Sequence, residues 1–109
     1  MELVADAVKS ARENADINRV GNIRFIEGDV KDVLAMKEAD GSVFDVVVVD
    51  PPRAGMHPKA LKKIIELAPP KLLYISCNPA TFARDAAEIV RAGYRLPEVR
   101  PIDMFPHTK

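Results

Sequence analysis

The chain has 109 residues, 48% of them hydrophobic, and its 16 basic and 16 acidic side chains cancel to a formal net charge of zero. That length holds one small domain, and that apolar share supports a packed core and excludes a disordered chain. The balanced charge gives no global attraction for nucleic acid but leaves room for a local basic cleft.

The first predicted element is a helix over about residues 3–14. Val4, Ala7, Val8, Ala11 and Ala15 recur at helical spacing, with Lys9, Arg12 and Glu13 on the other side. A short strand is expected over 23–27, ending in Gly28-Asp29. Residues 30–37 read as a short helix and 39–42 as a turn. Residues 44–49 form a near-continuous apolar, β-branched run that stops at Asp50. Such a run suits a strand buried on both faces of a parallel sheet.

Pro51 and Pro52 stop any regular element. A helix is expected over 58–67, with Leu61, Ile64, Ile65 and Ala68 on one face, and Pro69-Pro70 punctuates again. Residues 72–76 read as a strand. A further helix starts near Pro79 and carries Phe82, Ala86, Ile89 and Val90 on one face, with Gly93 placed as a C-cap. Residues 94–102 read as a last strand, edged at Pro97, and 103–109 as a loop. Helices between buried strands imply βαβ units, hence an α/β fold with a doubly wound, mostly parallel sheet.

Cys77 is the sole cysteine, so neither an internal disulfide nor a cysteine metal cage can form. A reducing, cytoplasmic setting is expected. No apolar run approaches the roughly 18 residues of a membrane span, and the N-terminus has no signal-peptide pattern. No membrane partner and no metal are expected.

Ligands of open α/β sheets bind at the carboxyl ends of the strands. Four such ends carry polar residues: Glu2, Gly28-Asp29, Asp50-Pro51-Pro52-Arg53 and Ser76-Cys77-Asn78-Pro79. Glu2 suits either a helix first turn or ribose hydroxyls, since a carboxylate accepts both hydrogen bonds. Asp29 suits either a turn after glycine or a contact to an adenine amine. Asp50 ends an apolar strand with a carboxylate, a costly choice that favours function over a simple turn. Cys77 stands at a strand end where Asn78 can cap a helix and Pro79 suits its first position. That places the thiol beside a helix N-terminus, the setting of a nucleophile, although a free cysteine is as often a small buried hydrophobe.

Asp50-Pro51-Pro52-Arg53-Ala54-Gly55, then Ser76-Cys77-Asn78-Pro79-Ala80-Thr81 with Arg84-Asp85, then Asp103-Met104-Phe105-Pro106-His107-Thr108, closely resemble the RNA 5-methyluridine methyltransferases. The resemblance covers essentially the whole chain and leans toward the 23S ribosomal RNA branch. It implies a Rossmann-like class I methyltransferase fold, here incomplete. It also implies methyl transfer from S-adenosylmethionine to carbon 5 of a uridine in RNA, with ribosomal RNA the expected substrate. By this resemblance Cys77 adds to carbon 6 as a buried thiolate, and the target base leaves its stack to reach it. Glu2 would hold the cofactor ribose, Asp29 would lie near the adenine, and Asp50, with Pro51, would sit between cofactor and uracil. Arg53, Asn78 and Pro79 would meet the substrate.

The family's glycine-rich first strand and loop precede the position matched by Glu2. Its general base, a glutamate, follows the position matched by Thr108. Residues 1–109 are therefore expected to be a partial S-adenosylmethionine-dependent methyltransferase catalytic domain, truncated at both ends. In isolation it should bind cofactor weakly and be inactive. Without a central strand it should rearrange its strand order or self-associate through an open edge. Two other readings compete. An exocyclic-amine methyltransferase also places an acid or amide before two prolines, but it follows them with an aromatic residue where this chain has Arg53. A non-catalytic fragment or scaffold is the second. A dinucleotide-dependent oxidoreductase lacks its glycine fingerprint.

Overall fold

A computed structural model of the chain describes residues 1–103. The third motif, from Met104 to Thr108, lies outside the described residues, and so does the predicted loop beyond Asp103. The element order is α1 (Ala5–Ile17), α2 (Val30–Ala39), β1 (Val46–Val49), α3 (Pro58–Glu66), β2 (Lys71–Tyr74) and α4 (Pro79–Arg91).

Three of the four helices, α2, α3 and α4, start where a side chain supplies a partner for one of the first N–H groups, whereas α1 follows Val4 without a side-chain cap. The His57 side chain accepts from Lys59 N–H, and Pro58 opens α3 without losing a hydrogen bond. Asn78 and Pro79 do the same for α4. Asp29 caps α2 by accepting from Lys31 N–H at 3.0 Å. The helices then bury one stripe each. Val8 of α1, Val33 and Leu34 of α2, Ala60, Leu61 and Ile64 of α3, and Ile89 of α4 form the core. Helices α2 and α3 pack against each other.

Strands β1 and β2 pair in parallel, with Val46 opposite Lys71 and Val49 opposite Tyr74. With α3 between them they form the expected βαβ unit. Helix α4 meets β2 at Tyr74, whose ring lies edge-on to Phe82 at 5.3 Å. No helix among the described residues is long and apolar enough to cross a membrane.

Three expectations are corrected. The predicted strand over 23–27 is reduced to a single parallel bridge between Glu2 and Glu27. Glu2 N–H donates to Ile26 O and Gly28 N–H donates to Glu2 O, and among the described residues the pairing goes no further. The predicted last strand over 94–102 carries no ladder; the two-stranded sheet gives it no partner, and Pro97 has no N–H to offer. The run ending at Val49 is not buried on both faces. Val46 and Val48 are 50% and 57% exposed, and Leu73, beside Val48 in register, is 53% exposed. The expected doubly wound sheet is therefore, among the described residues, a small mixed α/β arrangement of one two-stranded parallel sheet, a separate bridge and four helices.

An apolar stripe on a sheet with open edges favours association. The isolated chain is expected to sediment as concentration-dependent oligomers. Val48→Lys combined with Leu73→Glu, an opposite-charge pair across the register, should shift it toward monomer. A clean monomer for the unaltered chain at every concentration would contradict this.

Candidate active site

The two strands deliver their carboxyl ends side by side, because Ile75 N–H donates to Val49 O at 2.9 Å. Beyond β1 the chain runs through Asp50, exposed, and Pro51, half-buried. It then turns where Gly55 N–H donates to Pro52 O at 2.8 Å. Beyond β2, Ser76 Oγ accepts from Asn78 N–H at 3.1 Å and lies 3.0 Å from Asn78 O, to which it donates. This tight turn carries Cys77 at its apex. The cysteine is exposed, which corrects the expectation of a buried thiol. The turn lifts it clear of the strand, and no described element closes over it.

The two loops are tied to each other. Asn78 uses both ends of its amide: Oδ1 accepts from Ala80 N–H at 3.1 Å, and Nδ2 donates to Arg53 O at 3.0 Å. Thr81 Oγ1 also lies 3.1 Å from Arg53 O. Arg84 donates to Ala54 O at 3.0 Å. Asp85 is 2% exposed, and both its oxygens are engaged. Oδ2 accepts from Met56 N–H at 2.7 Å and from the Tyr74 hydroxyl at 2.6 Å. Oδ1 accepts from Arg84 Nε at 2.9 Å. Burial alone would push the Asp85 carboxyl up. Tyr74, Met56 and Arg84 together outweigh it and hold the group below its ordinary value. The same burial, reinforced by the Asp85 charge, pushes the Tyr74 hydroxyl well up. Gly55 passes over this carboxylate at φ +82, where a Cβ would stand 2.8 Å from Asp85 Oδ2.

Glu2 and Asp29 meet at a second place. Glu2 N–H donates to Ile26 O at 3.1 Å, and Gly28 N–H donates to Glu2 O at 2.9 Å, which sets the two acids at neighbouring chain positions. Glu2 Oε1 accepts from Val4 N–H at 2.9 Å. The Asp29 carboxyl is held below its ordinary value, first by Lys31 N–H and then by the Lys31 ammonium at 3.2 Å. The charge of His57 reaches it as well.

The structure thus groups Asp50, Pro51, Arg53, Cys77, Asn78 and Pro79 on adjoining loops, and brings Glu2 and Asp29 together at the bridge outside the two-stranded sheet. Asn78 and Pro79 are engaged in building α4, and the Asn78 amide is spent on the loop. Sequence reasoning missed the roles of Tyr74, Thr81 and Asp85. A signal for Asp85 was present: it falls on the stripe of Phe82, Ala86 and Ile89, so an acid was going to face the core.

The model of the tRNA (uracil-5-)-methyltransferase family matches residues 1–109. The chain is 51% identical over 109 residues to an uncharacterized RNA methyltransferase of Caldanaerobacter subterraneus. It is 46% identical over 110 residues to one of Chlorobaculum tepidum and 45% identical over 108 residues to one of Clostridium tetani. Each match takes in 99% of this chain and 23% of the relative, so the chain spans about a quarter of the length of these curated relatives.

Proposed function

Because the chain belongs to the tRNA (uracil-5-)-methyltransferase family, we propose that the full-length protein methylates carbon 5 of a uridine in RNA, with ribosomal RNA as the first substrate to try. The observation that carries this reading is the placement of Cys77 at the apex of a tight turn beyond β2, the strand paired with the one that leads into Asp50.

S-adenosylmethionine would supply the methyl group as a sulfonium electrophile. The donor set fits such a molecule: Glu2 and Asp29 are acceptors brought together by the Glu2–Glu27 bridge, suited to ribose hydroxyls and an adenine amine. Asp50 and the rigid Pro51 would form the wall between cofactor and uracil. Arg53 is exposed and free to meet the RNA through a phosphate or a base edge.

In the reaction, the Cys77 thiolate forms a bond to carbon 6 of the uracil, and the electrons of the ring's 5,6 double bond move to carbon 5 as an enolate. Carbon 5 accepts the methyl, and the sulfur–methyl bonding pair stays on sulfur. A base then takes the proton from carbon 5, the double bond reforms, and the Cys77 thiolate leaves. The exposed position of Cys77 suits a base that has been swung out of its stack.

The test is product identity. The full-length protein, given labelled S-adenosylmethionine and unmodified RNA, should yield 5-methyluridine after digestion to nucleosides. Label found on an exocyclic amine of adenosine or cytidine would favour the amine methyltransferase reading instead. The isolated chain should give no product.

A further inference from the structure

The carboxylate of Asp85 is the one buried charge among the described residues, and it lies outside the groups that meet substrate or cofactor. Its partners explain why it is there. It accepts from Met56 N–H on the loop after β1, from Tyr74 at the end of β2, and from Arg84, which in turn donates to Ala54 O. Asn78 and Thr81, on the same side of α4, hold Arg53 O. Four consecutive loop residues, Arg53 to Met56, are therefore laid along the first two turns of α4, the helix that begins directly after Cys77. Gly55 is the residue that lets them lie so close.

We propose that Asp85 is a positioning residue. Its carboxylate fastens the loop that carries Asp50 and Arg53 to the helix that carries Cys77, so that the two halves of the site move as one body. The proposal rests on the assignment of Cys77 as nucleophile, and its geometry has a chemical logic. A carboxylate accepts at both oxygens and can collect donors from a loop, a strand and a helix at once. An asparagine of the same shape would turn a donor toward Met56 N–H, Tyr74 or Arg84. With a loop so held, a displacement of about 1 Å at the reacting groups is enough to cost on the order of 100-fold in rate.

The experiment uses the full-length protein with RNA substrate. Asp85→Asn should lower kcat by about 100-fold, with KM for RNA and for S-adenosylmethionine changed by less than about 3-fold. The rate of covalent capture by RNA carrying 5-fluorouridine at the target should fall in parallel. Thr81→Val, which keeps the shape and removes one tie to Arg53 O, should lower kcat by a smaller factor of about 3 to 10 in the same pattern; it keeps the test decisive if Asp85→Asn fails to fold. A merely structural role would instead lower melting temperature while folded enzyme kept its kcat and capture rate, and that result overturns the proposal. Failure of the unaltered enzyme to form the fluorouridine complex would overturn the Cys77 assignment and this proposal with it. Capture by the unaltered enzyme together with undiminished capture by both variants overturns only the role of Asp85.

Discussion

Cys77→Ala in the full-length protein should bring RNA methylation to background, a loss of about 1,000-fold or more, and should abolish covalent capture of RNA containing 5-fluorouridine. The chemistry sets both outcomes. Without the thiolate nothing adds to carbon 6, and carbon 5 stays a poor nucleophile. When carbon 5 carries fluorine there is no proton to remove after methyl transfer, so the unaltered enzyme should stay bonded to the RNA through denaturation. Mass spectrometry should place that bond on Cys77. The exposure of Cys77 makes the result clean. An exposed side chain without packing partners changes stability by about 0.5 kcal/mol or less when truncated, so the melting temperature should hold while activity disappears. Near-normal methylation by Cys77→Ala would remove the nucleophile and return the lead to amine methylation.

How much of this was legible in the sequence depended on whether the needed partner was local. The start of α4 was legible because its capping group, Asn78, lies two residues from the N–H group it serves; Asp29, expected as a turn residue or an adenine contact, caps α2 in the same local way. The β1–α3–β2 unit was legible for a similar reason, since an apolar run, a helical stripe and a second apolar run define it without outside help. The strands over 23–27 and 94–102 failed because a strand is completed by its neighbour, and β propensity cannot say whether a neighbour is present. The burial of β1 failed on the same point: Val46 and Val48 are as apolar as a two-faced strand requires, but only one face has a cover.

The site divides along the same line. Motif spacing brought out Asp50, Arg53 and Cys77, each at a strand end where the chain must turn. It did not disclose that Asn78 spends its amide on Arg53 O, 25 residues away, or that Asp85 reaches Met56 across 29 residues. Such ties are set by the packing of α4 on the loop. Gly55 shows how far this goes, because a glycine within a motif reads as a turn residue, whereas here it marks a close approach between two segments.

Gly55→Ala should therefore destabilise the full-length protein by about 3 kcal/mol, combining roughly 1–3 kcal/mol for a side chain at positive φ with roughly 1–3 kcal/mol for crowding. The added Cβ would meet Asp85 Oδ2 at 2.8 Å and Thr81 Cβ at 3.1 Å, besides running into the Arg84 guanidinium. Arg84 can swing aside, giving up its bond to Ala54 O. Asp85 cannot, because Tyr74 and Met56 hold it from two other segments, and Thr81 is fixed by the helix. The loop must lift, and with it the bond from Met56 N–H that leaves a buried carboxylate short of a donor. Gly41→Ala is the control: Gly41 also has positive φ, at +71, but nothing lies within 4 Å of its added Cβ. It should cost about 1 kcal/mol, the conformational part alone. Denaturant midpoints at constant slope would measure both. Gly55→Ala should exceed Gly41→Ala by at least about 1 kcal/mol and should lose methylation in the fraction that remains folded. Equal shifts for the two substitutions would mean that the loop does not rest on α4 as closely as its hydrogen bonds require.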